Sequence, residues 1–211
     1  MRRFVILTRM FMVMNLRERE TLFWTFIFPV GLLLILGAAN VGLYEYPDQV
    51  AAWLLAGVLV MNLMSAGIGG DAPWLATMRD RGVLLRLRVA PLPVTELMGA
   101  YTLVKVVLVM VQSAVIVVAA MLAFDVRPGW DVALPVVGLI LLGGLVFLLL
   151  GQAIAAVSPN AGAASVLSNM LFFPILFLSN LVISISVLPE WLQAVAQWLP
   201  AAVLVDVLRP M

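Results

Sequence analysis

The strongest constraint on this chain is where its charges are absent. They fall in short clusters, and the stretches between the clusters are apolar for about 20 residues, the length of a helix that crosses a bilayer. Such stretches cover residues 22–39, 51–70, 97–124, 132–157 and 164–188. The composition agrees: 64% of residues are hydrophobic, 11% are charged, and the mean hydropathy is +1.15. A soluble domain carries about 25% charged residues. This chain has too little polar material to cover a water-facing surface. The expected fold class is therefore an all-α integral membrane protein, a single transmembrane domain over residues 1–211 with about five transmembrane helices.

The charge clusters set an orientation. Arg2, Arg3, Arg9, Arg17 and Arg19 precede the first span, and Arg79, Arg81, Arg86 and Arg88 lie between the second and third. The connection between the first and second spans holds Glu45 and Asp48 but no Lys or Arg, and that between the third and fourth holds Arg127 alone. Basic residues are retained in the cytoplasm. The amino terminus and the 71–96 loop are thus expected inside, and 44–49 and 125–131 outside. The uncharged 158–162 turn must then be inside.

The first twenty residues admit two readings, a signal peptide or an interfacial helix. Arg9 interrupts the first apolar stretch, and the next is long enough to span. Phe4, Leu7, Phe11 and Met14 follow helical spacing, whereas Arg2 and Arg9 share another side. An amphipathic helix on the inner membrane surface fits better. After the fifth span, Pro189 suits a helix start and Pro200 a stop. The 189–200 segment is too short to cross. Trp191 and Trp198, seven apart, point to a short interfacial or re-entrant helix at the outer surface.

Several chemistries are excluded. With no Cys and no His, the usual zinc, copper, thiol and Ser-His sites are missing. No G-x-x-x-x-G-K-[ST] occurs, so ATP binding through a P-loop is not expected. The run from Gly67 to Gly70 lacks a preceding strand and reads as helix packing, as do Gly144 and Gly151. An intramembrane enzyme would want paired carboxylates or a nucleophile with a base. No basic surface interleaved with aromatics points to nucleic acid.

Three stretches carry a family resemblance. Asn15-Leu16-Arg17-Glu18-Arg19-Glu20 leads into Phe26-Ile27-Phe28-Pro29. The second runs from Met78-Arg79-Asp80-Arg81-Gly82 through Arg86-Leu87-Arg88 to Pro91-Leu92-Pro93. The third runs from Phe172-Phe173-Pro174 through Leu188-Pro189-Glu190-Trp191 and Gln197-Trp198-Leu199-Pro200 to Asp206-Val207-Leu208-Arg209. In this order, with this topology, the chain resembles the ABC-2 type permeases. These are membrane subunits of ATP-binding-cassette exporters, including drug-resistance and polysaccharide exporters. The resemblance implies a plasma-membrane, multi-pass permease with a cytoplasmic amino terminus, paired with a second copy as a homodimer. A separate cytoplasmic ATPase would bind ATP and Mg, with no cofactor in this chain and no chemistry of its own. The substrate is not identified, and nucleic acid is not expected. Asp80 departs from the family's frequent Glu, and Ala100 from its Lys or Arg after the glycine. The family usually has six spans, the last following the region of Asp206–Arg209. The chain is therefore expected either to be truncated or to borrow a helix from a partner, with residues 206–211 at the outer face.

The candidate sites keep their alternatives. Arg79–Arg88 can form a short helix with Leu84, Leu85 and Leu87 as anchors, ended by Pro91 and Pro93. On charge alone it is a topology-setting loop. With the resemblance, Arg79, Asp80, Arg81, Gly82, Leu85, Arg86, Leu87, Arg88 and Pro91 form a helix coupling to the ATPase. Asn62 and Ser65 on the second span, and Asn169, Phe173 and Asn180 on the fifth, share helix faces. They line a substrate pathway, as the resemblance implies, or hydrogen-bond between helices. Lys105, with Thr102 and Gln112 on its side of the third span, either snorkels to the inner headgroups or makes an interior contact. The alternatives to an exporter permease are an ion-coupled secondary transporter and a non-transporting scaffold. The former would need acidic groups in mid-span, and Asp71, Asp125 and Asp131 are expected at span ends.

Overall fold

A computed structural model describes residues 2–17, 23–40, 47–83, 93–124, 130–179 and 189–208. Helix α1 (Arg2–Arg17) is followed by a π-helical turn, Phe23–Ile27, and α2 (Phe28–Asn40). Helix α3 (Pro47–Met64) passes through a second π-helical stretch, Ser65–Asp71, into α4 (Ala72–Asp80). Then come α5 (Val94–Phe124), α6 (Trp130–Val157), α7 (Ala161–Leu178), α8 (Glu190–Ala196) and α9 (Pro200–Leu208).

Among the described residues, four helices are long and apolar enough to cross a membrane: Trp53–Asp80, Val94–Phe124, Val132–Val157 and Ala161–Leu178. Phe28–Ala39 is a shorter apolar helix, extended at its start by the first π turn. The all-α membrane architecture stands. Leu122, Leu134, Leu142, Val166 and Met170 are exposed on its outside, as lipid-facing side chains are. The core is Leu33, Val60, Leu63, Met64, Ile68, Phe147, Leu148 and Val205, all buried.

The second span was expected to end at Gly70, with a loop from residue 71. It continues to Asp80 as one helix. Gly-Gly-Asp-Ala-Pro reads locally as a break, because Pro lacks an N–H and its ring meets the carbonyl four residues back. The π-helical stretch widens the helix just before Pro73 and shifts its hydrogen bonds to i→i+5, which accommodates the ring. Pro29 follows the other π turn in the same way. The helix stops instead at Gly82, in the left-handed region (φ 69°), whose N–H donates to Arg79 O at 2.9 Å.

Helix α1 is amphipathic as expected. Leu7 and Phe11 are buried against Leu97, Ala100, Tyr101 and Val104 of α5, and Phe4 and Met14 pack beside them. Arg9 is exposed. This helix, Arg79 and the start of α5 therefore lie at one end of the bundle.

At the chain's far end the described residues cover the expectations only in part. The fifth span was expected over 164–188; helix α7 is described to Leu178, and residues 180–188 lie outside the described residues. Pro200 was expected to stop a helix, with residues 206–211 at the outer face. Pro200–Leu208 instead form α9, bent 82° from α8, with Ala201, Ala202, Leu204, Val205 and Leu208 buried; residues 209–211 lie outside the described residues. Pro200 thus starts a helix as well as following one, its missing N–H being no loss at a first turn. Leu204 packs on α6, where a Cβ on Gly143 would come within 2.6 Å of it. Trp191 and Trp198 do not share a helix face, since Trp198 sits in the turn after α8; both are exposed.

Candidate functional site

A partly open cavity of about 500 Å³ lies between α1, the first span, α3, α5 and α7. Its polar lining is Asn15, Asn62, Ser65, Lys105, Gln112 and Asn169. Phe26, Trp74, Phe172 and Phe173 supply aromatic walls. Two helices contribute matching stripes. Asn62, Ser65, Ala66 and Gly69 follow i, i+3, i+4, i+7, and so do Lys105, Leu108, Val109 and Gln112. That spacing places each set on one helix face. Every described residue expected on the pathway, namely Asn62, Ser65, Asn169 and Phe173, lines this one cavity with Lys105 and Gln112. Asn180 lies outside the described residues.

The Asn62 amide nitrogen is buried and has no hydrogen-bond partner. A buried unpaired donor costs about 1–3 kcal/mol, so this group gains most from an acceptor that enters. Gly69 and Gly70 border the opening, whereas Gly67 belongs to packing: a Cβ there would overlap the Phe147 backbone, and one at Gly151 would overlap the Gly67 carbonyl. Gly144 packs on Val109.

Beside the cavity lies a buried ion pair. Lys105 Nζ is 3.6 Å from Asp71 Oδ1, and the Asp71 side chain has no exposure. Lys105 also donates to Asn15 Oδ1 at 2.9 Å and sits 4.7 Å from the Trp74 ring centroid. The Tyr101 hydroxyl donates to Asp71. Trp74 stacks on Tyr101 at 5.4 Å, and Phe11 meets Tyr101 edge-on. Of its two alternatives, Lys105 takes the interior contact. With α3 and α4 one helix, Asp71 lies inside the span and its carboxylate meets the lysine. Asp71 is accordingly an acidic group inside a span. Thr102 leaves the stripe and accepts from Gln152 Nε2 at 3.0 Å, joining α5 to α6.

Arg79 and Asp80, expected to face an ATPase, are bound within the chain. The Arg79 guanidinium donates to Ala155 O at 2.9 Å and to Ser158 O. These are carbonyls at the end of α6, which a helix terminus otherwise leaves unpaired. Asp80 Oδ2 accepts from Ala161 N at 2.7 Å, and Asn160 Oδ1 from Ala163 N at 2.8 Å. These satisfy N–H groups at the start of α7. One Arg-Asp pair therefore caps both sides of the 158–160 turn, and holds it at the Arg79 end of the bundle. Arg81 is exposed beside Gly82. Leu85, Arg86, Leu87, Arg88 and Pro91 lie outside the described residues.

Among the described residues, membrane-length apolar helices packed around a polar cavity make this a multi-pass membrane protein. Residues 2–211 match the ABC-2 type transporter family, and the chain belongs to it as a membrane permease. Over 94 residues it is 34% identical to nodulation protein J of Rhizobium leguminosarum bv. viciae. That stretch covers 44% of this chain and 35% of the relative.

Proposed function

We propose that this permease forms half of an exporter's substrate pathway, and that the polar cavity is its share of that pathway. Two copies pair in the plasma membrane with their amino termini in the cytoplasm. A separate cytoplasmic ATPase binds ATP and Mg and drives the pair between inward- and outward-facing states. The convergence of Asn62, Ser65, Gln112, Asn169 and Phe173 from three helices on one cavity carries this reading. Helix-to-helix hydrogen bonding alone would not leave the Asn62 amide nitrogen unpaired. Arg81, exposed beside Gly82, would meet the ATPase together with Arg86 and Arg88, which follow it in the sequence, while Arg79 and Asp80 position the 158–160 turn. The buried carboxylate Asp71 would suit an ion-coupled carrier, but its ammonium and hydroxyl partners make it a structural pair, and the family works by another route.

The absence of native cysteine makes the test direct. Single Asn169→Cys and Phe173→Cys variants should react with a water-soluble maleimide. Met170→Cys and Leu122→Cys, at exposed positions outside the cavity lining, should not, because lipid covers them. Equal protection at all four positions would assign Asn169 and Phe173 to packing.

A further inference from the structure

We propose that the cavity takes an anionic amphiphile, with an anionic oxygen on Lys105 and Asn62 and an apolar body against Phe26, Phe172 and Phe173. This deepens the pathway reading and rests on it. Among the described residues, Lys105 is the one charged group lining the cavity, and no carboxylate does. Asp71 is its counter-charge, yet it is fully buried behind the lysine and absent from the lining. Of the pair, the ammonium-bearing residue is the one that lines the cavity. Coulomb attraction falls with distance, so the ammonium, nearer any occupant, outweighs the carboxylate behind it. Asn62 adds a second donor, its amide nitrogen unpartnered and the residue 4% exposed. Asn15 Oδ1 now accepts from Lys105, and an entering anion would put a full negative charge where a neutral amide oxygen sits, adding Coulomb attraction to the hydrogen bond. The rest of the wall is aromatic and aliphatic, with Leu108, Val109 and Leu148 beside the phenylalanines. A free anion would leave that surface unused.

The test uses Asn169→Cys permease in phosphatidylcholine nanodiscs and the rate of maleimide labelling. Decyl phosphate should slow labelling about tenfold more than decyltrimethylammonium at equal concentration, the scale of one charged hydrogen bond. Inorganic phosphate at that concentration should leave the rate unchanged. Adding Lys105→Gln together with Asp71→Asn, which removes both charges and strands neither, should abolish the preference for decyl phosphate. Equal protection by the cation, or a preference that survives the double change, would overturn the proposal. Protection by inorganic phosphate matching that by decyl phosphate would also overturn it, in favour of a free-anion site. If the Asn169→Cys permease does not label even without any amphiphile, the pathway reading itself fails, which separates the two outcomes.

Discussion

Replacing Asp71 with Leu, with Lys105 left in place, should destabilise the permease by roughly 3–5 kcal/mol, the cost of stranding one member of a buried ion pair. Most of that cost remains, because the lysine, with 11% of its side chain exposed, meets cavity water only in part. Along helix rises of 1.5 Å per residue, it lies roughly 16 Å from the start of α5, and Asp71 roughly 13 Å from the end of α4. Asn15, Trp74 and Tyr101 enclose them. The double change Asp71→Leu, Lys105→Met should restore most of the loss, because apolar replacement of a whole buried pair is often neutral. Thermal loss of monodisperse protein in detergent checks both. Wild-type stability for Asp71→Leu alone would mean that the pair does not form.

A comparable loss is expected at the crossing of the second and fourth spans. Gly67→Val or Gly151→Val should each cost about 1–3 kcal/mol or more, as overpacking does. The obstructing atoms are backbone, of Phe147 for Gly67 and of Gly67 for Gly151, so no side chain can swing aside. Gly31→Ala, where a Cβ meets nothing within 4 Å, is the control and should leave the melting temperature near wild type. The same thermal assay reads all three. Tolerance of Val at both crossing glycines would show that the helices sit further apart.

Much of this architecture was legible from local pattern. Apolar length found the bundle, helical spacing found the buried face of α1, and the face-sharing of Asn62 with Ser65 and of Asn169 with Phe173 matches residues that line one cavity, Asn180 lying outside the described residues. The errors came from features that are not local. A π-helical stretch has no sequence signature here, so Gly69-Gly70-Asp71-Ala72-Pro73 was read as a helix end. That one misplacement put Asp71 at a span end and left Lys105 with no visible partner, its snorkelling and interior readings both open. The Arg79 and Asp80 caps could not be read either: their partners, Ala155, Ser158 and Ala161, are more than seventy positions away. Asn160 before a helical run was a visible cap signal, but nothing beside it names Asp80 as the second cap. The burial of α9 is likewise tertiary. Its apolar face at Ala201, Leu204, Val205 and Leu208 has a period that suited helix, but only Gly143 and Leu63 across the gap show what it covers.

The proposed pathway, its access switched by a partner ATPase, is open to direct test. The most direct measurement is maleimide labelling of Asn169→Cys permease assembled with that ATPase in inside-out vesicles, with and without ATP. The account predicts fast labelling from the cytoplasmic side without nucleotide, and strong protection when ATP is bound and the cavity faces the other way. Labelling at one rate in both conditions, with ATP hydrolysis proceeding normally, would contradict it.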